Sequence, residues 1–335
     1  MSDFVLKFDK LSKHDVQLAG GKGASLGEMS QAKIPVPPGF VVLASAFDRF
    51  LHETDLEVDV EAQLKKVNHR DINSVEKYSV VIRDLIHDSR MPQDLQREIM
   101  SAYASLAKSQ GQIANSIKSH KLLAISHELF YVAVRSSATA EDSSQASWAG
   151  ELESYLNTTE KNLLGRVKQC WSSLFTPRAI FYRHEKKLHK AKVSVAVVVQ
   201  TMIQSEISGI AFTVHPVTKD KNQMIIEAGF GLGEAIVSGQ ITPDSYVVGK
   251  KKLDLMDINV SEQGRALYGK PGGGNAWKNL TKAQGGKQKL TGRQIQELAK
   301  ICLTIEKHYG FPCDIEWAWS KGKFYITQSR PITTL

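Results

Sequence analysis

A lysine among glycines, an arginine among hydroxyls and an acid–amide–arginine set near the C-terminus are the parts of this sequence able to do chemistry. All three suit anionic oxygens. Gly20-Gly21-Lys22-Gly23 stands directly before a stretch with helical character, Ala24 to Met29. Glycines let backbone approach an anion, amides at a helix start point toward it, and the lysine adds charge. The spacing departs from GxxxxGK[ST], so an ordinary P-loop is not supported. A glycine-rich turn with an exposed lysine explains the same residues and stays open.

Arg135-Ser136-Ser137-Ala138-Thr139-Ala140-Glu141-Asp142 follows an apolar strand-like run. A planar guanidinium can hold two phosphate oxygens at once. The alternative is a structural arginine paired with Glu141 or Asp142. Near the end, Asp314-Ile315-Glu316-Trp317-Ala318-Trp319 alternates, which sets Asp314 and Glu316 on one strand face. The next strand carries Thr327-Gln328-Ser329-Arg330-Pro331, so a hairpin would gather Glu316, Gln328 and Arg330. Hard oxygen donors such as Glu and Gln suit Mg²⁺, which keeps waters and shares phosphate oxygens. A Glu316–Arg330 salt bridge is the competing explanation.

Other motifs carry less. Gly229-Phe230-Gly231-Leu232-Gly233-Glu234 reads GxGxGE rather than GxGxxG, and a tight strand-to-helix turn accounts for it. His14, His184, His189, His215 and His308 are scattered, none in a metal spacing. Cys170, Cys302 and Cys313 form no CxxC pair, so neither a zinc site nor a disulfide framework is indicated.

The elements that must hold these residues are legible in outline. Phe4 to Phe8 and Phe40 to Leu43 read as strands, with Ser45 as the cap of a helix through Phe47 and Phe50. Residues 55–128 show helical apolar spacing and form a helical insertion. Tyr131 to Val134 and Leu152 to Leu156 read as strands, and Asn162 to His189 as helix. The continuous apolar run Val193 to Gln200 fits a strand buried on both faces. Ser208 to Thr213 and Met224 to Glu227 look like neighbouring strands. Residues 263–292, rich in Gly, Lys and Asn, are expected to form a mobile surface loop. Thr291 caps a helix to Tyr309, and Ser320-Lys321-Gly322 turns between the last two strands. Lys250-Lys251-Lys252 reads as a solvated turn.

Composition bounds the class. Of 335 residues, 42% are hydrophobic and 23% charged, enough for one large domain or two moderate ones. Lys and Arg outnumber Asp and Glu 43 to 35, a formal +8 that attracts anions without choosing among them. No run of five basic residues supports a nucleic-acid tail, no apolar stretch is long enough to span a membrane, and no signal peptide is visible. A soluble cytoplasmic protein, with neither nucleic-acid nor membrane partner, is the expectation.

Taken together, these segments resemble the N-terminal nucleotide-binding domain of the phosphoenolpyruvate synthase and pyruvate phosphate dikinase family, also found in rifampicin phosphotransferase. The matches are GGKGASLGEM at 20–29, PVPPGFVV at 35–42, VRSSATAEDSSQASWAGELESYLN at 134–157, FTVHPVT at 212–218, GLGEAIVSGQITPDSY at 231–246, and DIEWAW with ITQSRPIT at the end. They run in order over nearly the whole chain.

The resemblance implies an α/β (α+β), ATP-grasp-like fold of two lobes, residues 1–200 with the helical insertion and residues 201–335 with the metal-binding hairpin. It implies MgATP as cofactor and a dikinase-type transfer of the β-phosphoryl to a histidine, releasing AMP and phosphate. Lys22 and Arg135 would hold phosphates, Gly150 and Ser154 would lie along the nucleotide, and Gln200 would face adenine. Glu316 and Gln328 would hold Mg²⁺, and Arg330 would stabilise phosphate charge. Serine stands at 154 where the family usually has threonine, and the hydroxyl survives. The family's phosphorylated histidine, in a GGxx(S/T)HA-type segment, has no counterpart here: Gly272-Gly273-Gly274 runs into Asn275-Ala276-Trp277. The chain alone is therefore expected to be incomplete, acting on a phosphohistidine domain or chain. A non-catalytic nucleotide-binding module is the other reading.

Overall fold

The computed structural model describes residues 4–117, 130–139, 152–186 and 194–333. They form two compact units, residues 1–27 with 38–201 and residues 28–37 with 202–335. The segment 28–37, which the sequence reading keeps in the first lobe, thus groups with the second. There the Ile326 amide donates to the Pro35 carbonyl at 2.9 Å and His308 Nε2 lies 2.8 Å from Glu28.

In the first unit, β1 (Val5–Lys7), β2 (Gly39–Val42), β3 (Val132–Ala138), β4 (Ser154–Thr158) and β5 (Val195–Thr201) make an antiparallel sheet in the order β1-β2-β5-β3-β4. The valine-rich β5 is central and buried from Val195 to Gln200, as its unbroken apolar run requires. One sheet face, including Val134, Val197, Val199 and Phe40, enters a core with the helices α2 (Ala44–Glu53), α3 (Leu56–Leu64), α4 (Ile72–Asp88), α5 (Gln93–Ile117) and α6 (Leu163–Ser172). Trp171 anchors this core, stacked on Phe47 and Phe50 with centroids 5.5 and 5.1 Å apart. The stretch expected as one helix from Asn162 breaks into α6, a 3-10 turn and α7 (Pro177–Glu185). Pro177, which has no amide to donate, starts the new helix, and the Thr176 hydroxyl caps it. Ser45 does not cap α2; that helix begins at Ala44 with Leu43 in the capping place and no side-chain bond.

In the second unit, β6 (Ile207–Phe212), β7 (Gln223–Phe230), β8 (Asp244–Gly249), β9 (Leu255–Asn259), β12 (Cys313–Ser320) and β13 (Lys323–Pro331) form an antiparallel sheet ordered β13-β12-β6-β7-β8-β9. Helix α10 (Gly292–Tyr309) opens with Thr291 and Gln294 in a full capping box, and buries Ile295, Leu298, Cys302 and Ile305. A short helix α8 (Glu234–Val237) follows β7.

Residues 263–292 are not a structureless loop. They fold into the hairpin β10 (Arg265–Gly269) and β11 (Asn275–Asn279) and the short helix α9 (Lys282–Gly285). Two buried polar anchors hold them. Gln263 accepts from the Phe230 amide and donates to the Phe230 and Arg265 carbonyls. Lys289 pairs with Asp244 at 2.8 Å, both side chains fully buried. The Lys250 of the basic turn is also engaged, with its ammonium 2.7 and 2.8 Å from the two Glu306 oxygens.

Candidate functional site

The glycine–lysine segment lies inside a helix rather than before one. Helix α1 (Val16–Gln31) is interrupted at Gly20, whose φ of 67° and ψ of 173° leave the helical region. The Ser137 hydroxyl fills the interruption: it donates to the Ala19 carbonyl at 2.8 Å and accepts from the Gly23 amide at 3.1 Å. It thereby stands in for the direct Gly23-to-Ala19 helical bond, the ladder insertion that kinks helices. Gly20 is required twice over. Its φ favours glycine, and a Cβ there would lie 2.2 Å from the Ser137 carbonyl oxygen. Lys22, half-buried, sits in the turn resumed after the kink.

On β3, Ser137 and Arg135 share one sheet face, since they are two residues apart. Arg135 lies opposite Ser154 of β4 and Val198 of β5, and Ala133 lies opposite Gln200, itself opposite Gly39. Arg135, Ser154 and Gln200 therefore occupy the face to which Ser137 ties α1, the reverse of the valine core. Arg135 and Gln200 are buried, at 8% and 2% exposure, and Ser154 is exposed. The register neighbours of Gln200 are a glycine and an alanine, Gly39 and Ala133. Gly150, and with it Glu141 and Asp142, lies outside the described residues.

Behind this face β4 is clamped at its start. The Glu153 carbonyl accepts from the Ser136 amide and hydroxyl at 3.1 and 2.9 Å. The Glu153 carboxylate takes a 2.8 Å bond from Arg83 and another from the Tyr155 hydroxyl. Burial, then that bond to Glu153, raises the Tyr155 phenol well above its usual range. Burial also pushes the nearby Cys170 thiol up to about 12, against the pull of its bond with Ser136 and of the Lys22 charge.

In the second unit the terminal hairpin forms as expected, with a two-residue turn at Lys321-Gly322, φ 50° and 78°. Both values are positive, as the hairpin turn matching strand twist demands. Glu316 stands directly opposite Gln328, and Asp314 opposite Arg330. Arg330 reaches Asp314 with Nε at 2.9 Å and Nη2 at 2.8 Å. The arginine thus pairs with Asp314, the residue directly opposite it. Glu316 and Gln328 stand side by side on the face opposite the buried Cys313, Ile315 and Trp317.

Across the sheet, Glu316 meets Ile210 of β6, which meets Glu227 of β7. Glu227 is a third acid on this face, raised in pKa by burial and then by the Asp314 charge. Nothing in the sequence flagged it, because it ends the apolar run Met224-Ile225-Ile226 and only strand register brings it into this row.

The donor set fits Mg²⁺. One carboxylate and one amide oxygen from adjacent strands are hard ligands of the kind this ion takes along with phosphate oxygens. Among the described residues no group of three or more His, Cys, Asp or Glu is placed to hold a metal unaided. An ion here would take its remaining ligands from water or from a bound anion. His215, in the FTVHPVT segment, is a turn residue whose Nδ1 accepts from the Val217 and Thr218 amides, each at 3.3 Å. The GxGxGE stretch is a tight strand-to-helix turn, with Gly231 at φ 88° bridged to Leu267 and α8 starting at Glu234.

A family model described as pyruvate phosphate dikinase, AMP/ATP-binding domain, matches residues 16–335. Curated relatives extend the likeness to nearly the whole chain. A probable phosphoenolpyruvate synthase of Methanocaldococcus jannaschii is 43% identical over 99% of this chain and 27% of its own length. That of Archaeoglobus fulgidus is 43% identical over 99% of this chain and 42% of its own length. A rifampicin phosphotransferase of Bacillus cereus is 38% identical over 100% of this chain and 36% of its own length. The chain thus spans less than half the length of these relatives. The match over residues 16–335, with relatives that are 38–43% identical across nearly the whole chain, makes this chain a member of the pyruvate phosphate dikinase AMP/ATP-binding domain family.

Proposed function

We propose that the chain is the MgATP-binding, phosphoryl-donating part of a dikinase with an ATP-grasp-like nucleotide site. Lys22 and Arg135 take phosphate oxygens, Ser154 and Gly150 line the nucleotide, and Gln200 reads the base. Glu316 and Gln328 hold Mg²⁺, and Arg330, kept in place by Asp314, meets phosphate charge. The ion neutralises triphosphate oxygens; the protein's share is positioning and charge, the main components of phosphoryl-transfer catalysis. The acceptor of the β-phosphoryl in this reading is a histidine on a partner domain or chain, water takes the γ-phosphoryl, and AMP and phosphate leave. The observation that carries the proposal is the Glu316–Gln328 pair with Arg330 two residues on, set on one sheet face in a chain matching an AMP/ATP-binding family throughout.

Relatives named for two different reactions share this segment. The reading is therefore of the common ATP half-reaction, with the final acceptor chosen elsewhere. Bound at 100-fold excess over its Kd, MgATP should stabilise the fold by on the order of 3 kcal/mol. Glu316→Ala and Lys22→Ala should each remove most of the resulting thermal shift, and a wild-type response from both variants would overturn the site. Incubation with ATP labelled in the β-phosphate and a phosphohistidine-domain protein should yield AMP and a labelled histidine only when both proteins are present. Failure to form AMP with MgATP binding intact would favour the non-catalytic module.

A further inference from the structure

We propose that Glu227 is a second carboxylate arm of the metal–phosphate face, acting on the same ion as Glu316 and Gln328. The inference rests on the magnesium-nucleotide reading above. Gln328, Glu316, Ile210 and Glu227 occupy consecutive register positions on β13, β12, β6 and β7, so their side chains leave the sheet on one side. Two strand spacings, roughly 9.5 Å, separate the Glu316 and Glu227 backbones. A glutamate side chain crosses nearly half of that span, and Mg²⁺ to oxygen distances of about 2 Å complete it, above the single residue Ile210.

The charge balance points the same way. Asp314, Glu316 and Glu227 share this block of sheet with Arg330, and Arg330 is held through two nitrogens by Asp314. Two further carboxylates, both half-buried, stand on the same face as that pair. Glu227 is more than half withdrawn from water and sits within range of the Asp314 charge, an arrangement that penalises its ionised form. A carboxylate kept in so unfavourable a place is relieved by a cation at the same face. Because the described acids form no closed cage, the other positions on such a cation are open to water and phosphate oxygens.

The test titrates Mn²⁺, in place of Mg²⁺, into the full chain with a saturating non-hydrolysable ATP analogue, following bound metal by electron paramagnetic resonance. Wild type, Glu227→Gln, Glu227→Asp and Glu316→Gln are compared. Glu227→Gln should raise the half-saturating Mn²⁺ concentration about tenfold or more, with Glu227→Asp in between. Its ligand-free melting temperature should be at or above that of wild type, because a repelled charge is gone. If Glu227→Gln takes up Mn²⁺ within twofold of wild type while Glu316→Gln fails to, the role of Glu227 is refuted and the nucleotide site stands. If wild type itself takes up no Mn²⁺ with the nucleotide, the magnesium-nucleotide reading fails and this inference with it. Should Glu227→Gln not fold, Glu227→Asp decides: an unchanged half-saturation overturns the proposal and a raised one supports it.

Discussion

At the scale of single residues, Ser137 shows how one hydroxyl can set the geometry of a binding segment. It replaces a helical hydrogen bond at the Gly20 kink with two bonds of its own, joining α1 to β3 beside Arg135. Ser137→Ala would leave a buried amide and a buried carbonyl without that partner, a loss of about 1–3 kcal/mol. Urea unfolding should show this as a lowered midpoint at unchanged slope, and MgATP affinity should fall as Lys22 loses its fixed turn. An affinity equal to wild type would mean the kink does not position Lys22. The sequence shows that Ser137 follows an arginine. It does not show that Ser137 faces a glycine 117 positions earlier, a pairing made by the packing of α1 on the sheet.

At the scale of elements, the hairpin β10–β11 and helix α9 are held by polar anchors as well as by the buried Ala266 and Leu267. The Asp244–Lys289 pair is fully buried. Its carboxylate also accepts from the Tyr246 hydroxyl at 2.7 Å and the Ser261 and Lys289 amides at 3.0 and 2.8 Å, so few of its lone pairs lack a donor. Removing one partner of such a pair strands the other charge, at about 3–5 kcal/mol. Lys289→Met should therefore unfold at markedly lower urea. Hydrogen exchange should rise first in residues 261–289, and an exchange pattern like that of wild type would show the pair to be dispensable. Composition misleads at this element: a stretch rich in Gly, Lys and Asn reads as a loop, because a single long-range ion pair leaves no local periodicity.

At the scale of the whole molecule, all three cysteines are free and buried. Burial pushes Cys170 and Cys313 up to about 12, and Cys302 higher still. In the unfolded chain thiols ionise near about 8.5. A folded value above the unfolded one means the stabilising contribution is whole below that pH and is lost as pH rises toward the folded values. The urea midpoint should accordingly fall between pH 8 and pH 10.5, and Cys302→Ala should flatten the fall. A midpoint independent of pH over that range would contradict the burial argument. Native chain should also react slowly with Ellman's reagent until denatured. No helix among the described residues is long and apolar enough to cross a membrane.

By itself, the sequence determined the element types wherever local chemistry is decisive. The valine run made β5, the Thr291–Gln294 pair started α10, and Lys321-Gly322 closed the last hairpin. Alternation within β12 also settled that Asp314 and Glu316 share a face, because side-chain period in a strand is a local property. Only tertiary structure decided which acid takes Arg330, that Glu227 joins the row of Glu316 and Gln328, that Ser137 enters the α1 ladder, and that Lys289 is buried against Asp244. Each of those depends on strand register or on contacts between residues far apart in the chain. Register and long-range packing are chosen by the fit of the whole core, which no short window of residues contains.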